Sequence, residues 1–196
     1  MIIAIGVLSA VGLAVVVFAI AHAYGRRHDD EREREIWQAM AQSQGMELRQ
    51  EKSHLSLHGT IGPLSFVVDR DTFLTYGLDA MLGLRATLPR PPQGQVVVWY
   101  APDLATPQTV WPSLVEADPG AEWFARKFRV YASEPAIADK LLSGEVRERL
   151  GSLAGGALIV SPDEVLVLFS HLDAPSIKGA AQVVAALRDA QILGGR

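Results

Sequence analysis

Two aspartates and three histidines are the side chains of this 196-residue chain best suited to chemistry. Asp69 and Asp71 are two apart, so on a strand both point to one face, where paired carboxylates can share a proton and act as acid and base. His54 and His58 are four apart, again one face of a strand. With His171 or Asp173 brought near by folding, they could hold a divalent metal. Each set also has a plainer explanation. Aspartate routinely makes turns at strand ends, and a histidine on the polar face of a half-exposed strand needs no ligand. Trp123, Phe124 and Phe128 form the densest aromatic cluster. They could line a ligand pocket or, as aromatics commonly do, anchor a loop to the core.

Sharper motifs are missing. Gly151-Ser152-Leu153-Ala154-Gly155 has the wrong spacing for a nucleophile elbow, and Leu153 belongs to an apolar helical stripe. There is neither a phosphate-cradling P-loop nor a Gly-x-Gly-x-x-Gly turn. The chain has no cysteine, which excludes disulfides, a thiolate nucleophile and Cys-ligated metal. It has no asparagine, and so no N-glycosylation acceptor. A formal charge of -4 implies neither nucleic acid nor an anionic lipid surface as partner. No catalytic, cofactor-binding or metal-ligating residue is therefore assigned, and no cofactor is expected. The function expected is that of a membrane-tethered, non-catalytic interaction or accessory domain. One alternative is a membrane-attached hydrolase or lipid-modifying enzyme using Asp69, Asp71 and the nearby histidines. Another is a sensor that binds a small ligand in an apolar pocket behind Trp123 and Phe128.

The elements that must position these residues begin with residues 1–25, which contain no Asp, Glu, Lys or Arg. A helix of that length is roughly 36 Å long, enough to cross a hydrocarbon core of about 30 Å. Arg26 and Arg27 follow directly, as on the cytoplasmic side of a signal anchor. The expected arrangement is a single-pass protein of the bacterial inner membrane with its C-terminal domain in the cytoplasm. Ala21-His22-Ala23 offers the alternative of signal-peptide cleavage and a secreted or periplasmic product. Residues 26–45 read as a charged juxtamembrane helix with Asp30–Arg34 and Arg27–Glu31 pairs. Its apolar stripe of Ile36, Trp37, Met40 and Ala41 should dock on the domain, and Gly45 should end it. Residues 46–196 read as one α+β domain.

Within that domain, Met46–Arg49 and Leu55–His58 alternate apolar with polar, as half-buried strands do. Gly62-Pro63 turns the chain into a strand over 64–69. Further strands are expected around 82–88 and 95–101, the latter unbroken and apolar as in a strand covered on both faces. Seven of the 11 prolines fall between Pro89 and Pro119, so Pro89–Gly94 and Pro102–Gly120 read as long connections. A strand over 128–132 and helices over 135–142 and from about 144 follow, the first capped by Ser133 and the second by Ser143 or Gly144. Two strands then flank Ser161-Pro162-Asp163-Glu164. A last helix is capped by Asp173 and carries an Ile177, Ala181, Val184, Leu187 stripe. Strands in runs with helices grouped after them predict an α+β fold with a largely antiparallel sheet behind an N-terminal transmembrane helix.

The order of these patterns resembles a group of uncharacterised bacterial membrane-anchored proteins that share a domain of unknown function. The matching features are Trp37-x-x-x-Ala41-x-x-x-Gly45, a strand ending in Gly59, the Gly62 hairpin and the Asp118-Pro119 turn. Phe124-x-x-x-Phe128-x-Val130 leads the next strand, and Leu141-Leu142 with Arg147-x-x-Leu150 completes the pattern. The resemblance covers nearly all the chain. It implies a membrane-anchored domain and carries no assigned activity, so no functional residue follows from it.

Overall fold

The computed structural model describes residues 31–52, 54–70, 81–90, 92–100, 111–153 and 155–193. The expected membrane span over 1–25 and the carboxylate Asp71 lie outside the described residues. Among the described residues, no helix is long and apolar enough to cross a membrane. The chain divides into two compact units, Met1–Ala39 and Met40–Arg196.

Helix α1 occupies residues 31–44 of the described chain. Trp37 and Ala41, one turn apart, are its buried residues, at 1% and 4% exposure, whereas Ile36 is 48% exposed and falls outside the stripe. The helix ends as its glycine predicts. Gly45 has φ +63, its N–H donates to Gln42 O at 3.4 Å, and Met46 N–H donates to Ala41 O at 2.8 Å. This is a Schellman arrangement, and at that φ a residue with a Cβ is strained.

The second unit is built on nine strands: β1 (Glu47–Glu51), β2 (His54–Ile61), β3 (Leu64–Asp69), β4 (Leu82–Ala86), β5 (Val96–Tyr100), β6 (Val115–Ala117), β7 (Phe128–Ala132), β8 (Ala157–Val160) and β9 (Val165–Phe169). They form a single sheet in the order β1-β2-β3-β4-β9-β8-β5-β7-β6. Every pairing is antiparallel. Two features depart from expectation. Strand β6 forms inside the proline-rich 102–120 stretch, by pairing Val115 with Ala132 and Ala117 with Val130. A one-turn helix α2 (Glu122–Ala125) precedes β7. Three-residue strands and single turns carry too little periodicity to be read from a sequence; pairing with β7 makes β6.

Helices α3 (Pro135–Leu141), α4 (Gly144–Gly151) and α5 (Ala174–Leu193) lie on one face of the sheet. Successive side chains of a strand alternate between faces, and on the helix side one row of cross-strand partners is apolar from edge to edge. It runs Leu48, Leu57, Val68, Leu84, Val167, Leu158, Val98, Val130, Ala117. The stripe Ile177, Ala181, Val184 and Leu187 of α5 is buried, as are Val146, Leu150 and Leu153 of the α4 region. Asp173 caps α5, accepting from Ser176 N–H at 2.7 Å. Ser143 caps α4 through Val146 N–H at 3.4 Å. Ser133, in contrast, does not cap α3. Its hydroxyl accepts from Gln95 N–H at 3.0 Å while its own N–H donates to Gln95 O, so it ties β7 to the start of β5.

Candidate functional site

The other face of the same sheet changes character halfway across. One row of cross-strand partners there reads Glu47, His58, Val67, Arg85, Leu166, Ile159, Val97, Tyr131, Glu116. From Leu166 to Tyr131 these residues are no more than 5% exposed, and Trp99 and Leu168 join them in a second core that Leu114 covers. Met81 and Trp111 pack against it, with the Trp111 ring edge-on to Trp99 at 6.4 Å between centroids. Burial there raises the pKa of Tyr131, because a phenolate would be poorly solvated.

From Glu47 to Arg85 the face is open and polar. It holds a groove of about 730 Å³ that crosses β1 to β4 and reaches the β8–β9 turn. Glu47, Arg49, His58, Thr60, Ser65, Arg85, Thr87 and Glu164 supply its polar lining, with Val67 between them. The charges are tied to one another. Arg49 donates twice to Glu47, Nε to Oε1 and Nη2 to Oε2, each at 2.9 Å. Those bonds hold the Glu47 carboxyl below its ordinary pKa and raise that of Arg49. Across the groove, Arg85 Nη1 donates to Glu164 Oε2 at 3.2 Å. Glu164 is fixed by the turn that the sequence forecast, where Ser161 N–H donates to Glu164 O at 2.9 Å. Such a surface offers donors and acceptors side by side with no net charge among its two ion pairs.

Gly59 and Phe66, direct partners on β2 and β3, lend their backbone to the groove floor, but they share the parity of Leu57 and Val68, so the Phe66 ring is buried on the helix side. A Cβ at Gly59 would lie 2.6 Å from Phe66 Cζ, so the ring rests on the glycine backbone. This glycine therefore serves close packing, a use that strand glycines commonly have.

Of the residues singled out from the sequence, His54, His58 and Asp69 share this polar face. Only His58 lines the groove. His58 Nε2 lies 3.1 Å from Ser56 Oγ, and Asp69 is the cross-strand partner of Ser56. His171 is exposed in the β9–α5 connection, and Asp173 is spent on capping α5. Among the described residues no group of three or more His, Asp or Glu is placed to hold a metal ion. The aromatic cluster is core. Phe124 and Phe128 are fully buried and stacked at 4.6 Å, and Tyr100 meets Phe128 edge-on at 5.8 Å. Trp123 lies over Gly151 of α4 and stays 44% exposed.

Sequence reasoning missed Arg85 and Glu164. The signal for Arg85 was present: one cation in Leu82-Gly83-Leu84-Arg85-Ala86 must point away from the leucines. Glu164 had none, because its side chain meets Arg85 only through the β4–β9 pairing.

This face belongs to a broad class of mixed folds in which a large open antiparallel sheet is covered by helices on one side. The crystal structure of the mycobacterial trehalose monomycolate transport factor A, TtfA, is similar to this chain in fold. Its TM-score is 0.57 at 8% identity, covering 80% of this chain and 92% of that one. No protein-family model and no curated protein matches the chain.

Proposed function

We propose that the chain is a membrane-tethered, non-catalytic accessory domain that engages a partner through the polar half of its sheet. The observation that carries this reading is the extent of the fold likeness to TtfA, a protein named as a transport factor. The groove agrees with it: Glu47, Arg49, Arg85 and Glu164 neutralise each other in pairs, an arrangement suited to recognition by hydrogen bonds. Residues 1–25 form the tether in this proposal, and Arg26 and Arg27 keep the domain cytoplasmic.

The test is site-specific photocrosslinking of the full-length protein in its native membrane. A probe at Thr60 or Arg85 should give one discrete protein adduct, and a probe at the exposed Glu148 of α4 should give none. Equal labelling from all three positions overturns the reading. The tether is tested separately with C-terminal reporters, where a fluorescent-protein fusion should be active and an alkaline phosphatase fusion inactive. A product beginning at Tyr24 would instead show signal-peptide cleavage.

One observation favours a hydrolase as the second reading, the 3.1 Å approach of Ser56 Oγ to His58 Nε2. A serine within reach of an imidazole is the start of a nucleophile–base pair. Ester hydrolysis by the purified protein that disappears in Ser56→Ala and His58→Gln alike would establish it.

A further inference from the structure

The two edges of the sheet are built differently. Edge strand β6 has three residues and runs into Asp118-Pro119, which blunts it as native edges usually are blunted. Edge strand β1 has five residues in unbroken register with β2, and it carries no proline. Its alternate backbone N–H and C=O groups face away from β2, where they can pair with another strand. Glu47, Arg49, Gln50 and Glu51 are exposed and Leu48 is half-buried.

The charges of β1, together with Leu48, select what fits that edge. Continuing the sheet through a second copy requires a two-fold axis perpendicular to it. Opposed residues then share a face, and only registers with an even sum of residue numbers are allowed. Centring on Arg49 would oppose Arg49 to Arg49 and Glu47 to Glu51, like charges in both cases. Centring on Gln50 would oppose Arg49 to Glu51 twice, but it sets Gln50 against itself and Leu48 against the cation Lys52, which has left the strand at φ +56. Centring on Leu48 opposes Glu47 to Arg49 twice and Leu48 to itself. Opposite charges directly across a pair stabilise it, and like charges destabilise it.

We propose that β1 is the seat of a homodimer in which two copies pair antiparallel about Leu48, with Glu47 of each copy opposite Arg49 of the other. The nine-stranded sheets then join into one, and the two grooves open side by side on the same face. This inference rests on the edge strand and is independent of the function proposed above.

The absence of cysteine makes the test clean, because any introduced thiol is unique. Full-length Leu48→Cys, reconstituted in lipid vesicles and oxidised, should run as a disulfide-linked dimer. Opposed β-carbons lie about 5 Å apart in an antiparallel pair. Gln50→Cys should stay monomeric, since its counterpart is four residues along the strand and about 13 Å away. In the Leu48→Cys background, Glu47→Arg and Arg49→Glu should each reduce cross-linking roughly tenfold, by setting like charges opposite one another. Mixing those two variants restores both opposite-charge pairs, so the heterodimer should form as well as the parent. Circular dichroism of each variant verifies that it is folded. The proposal is overturned if Gln50→Cys cross-links in place of Leu48→Cys, if neither does, or if the mixture links no better than the separate variants.

Discussion

On the non-helical face of the sheet, β1 to β4 and the five strands beyond them share one hydrogen-bonded framework yet meet different surroundings. Val67 and Arg85 face an open groove, while their neighbours in the same row, Leu166 and Ile159, are sealed beneath Leu114. On the helix side both halves are equally apolar, from Leu48 to Ala117. The comparison separates two jobs of one sheet. Burial on both faces stabilises the β9-β8-β5-β7 half, and burial on a single face leaves the β1–β4 half free to present polar groups.

The largest effect that would break this contrast is expected in the sealed half. Leu166→Ala should cost about 2–5 kcal/mol, through lost transfer energy and a cavity. The same experiment on Val67, half-buried in the groove, should cost far less in urea unfolding. Equal losses would mean that the groove is closed in solution. Next comes Gly59→Ala, whose methyl group would collide with the Phe66 ring. It should cost about 1–3 kcal/mol and loosen the helix-side packing under β2 and β3 more than the sealed half, as read from amide-exchange rates on β2 and β3. Replacing Asp69 and Asp71 together by alanine should cost about 1–2 kcal/mol, the scale of turn chemistry. A larger loss would give the polar face a structural role that the contrast denies it.

The helix side supplies a control common to both halves. Hydrogen bonds from Ser176 hold the Asp173 carboxyl below its ordinary pKa. A lowered folded-state pKa contributes stability above the unfolded value and loses it as the pH falls through the folded value. Asp173→Ala should therefore cost about 1 kcal/mol at neutral pH, and the gap to the parent should narrow in thermal melts taken below the ordinary aspartate pKa. A gap unchanged in acid would show that the carboxylate does not cap α5. The smallest effect sharpens the boundary itself. Arg85→Leu extends the apolar row by one strand and breaks a half-exposed ion pair with Glu164, side chains 39% and 32% exposed. Stability should shift by no more than about 0.5 kcal/mol, while binding of an apolar dye to the sheet face should rise.

Much of this architecture is local and could be read residue by residue. Alternation in Leu55–His58, the strand over 64–69, the unbroken Val96–Trp99 run, the Gly62 turn and the Asp173 cap all appear as their chemistry predicts, and of the two candidates Ser143 and Gly144 it is Ser143 that caps α4. Each depends on neighbours within a few residues, which is why pattern alone sufficed. The sequence also determined that His54 and His58 would share a face, because strand geometry has a period of two, whereas the β2–β3 register brings Asp69 to that same face. Strand order, β6 and the groove were decided by the tertiary structure. Arg85 and Glu164 stand 79 residues apart, and only the β4–β9 pairing makes them one wall. Ser133 shows the same physics on a small scale: a local reading makes it a helix cap, and β5, 38 residues back, takes its hydroxyl instead. A side chain with two possible partners goes to the one that long-range packing holds in place, and no window of sequence contains that partner.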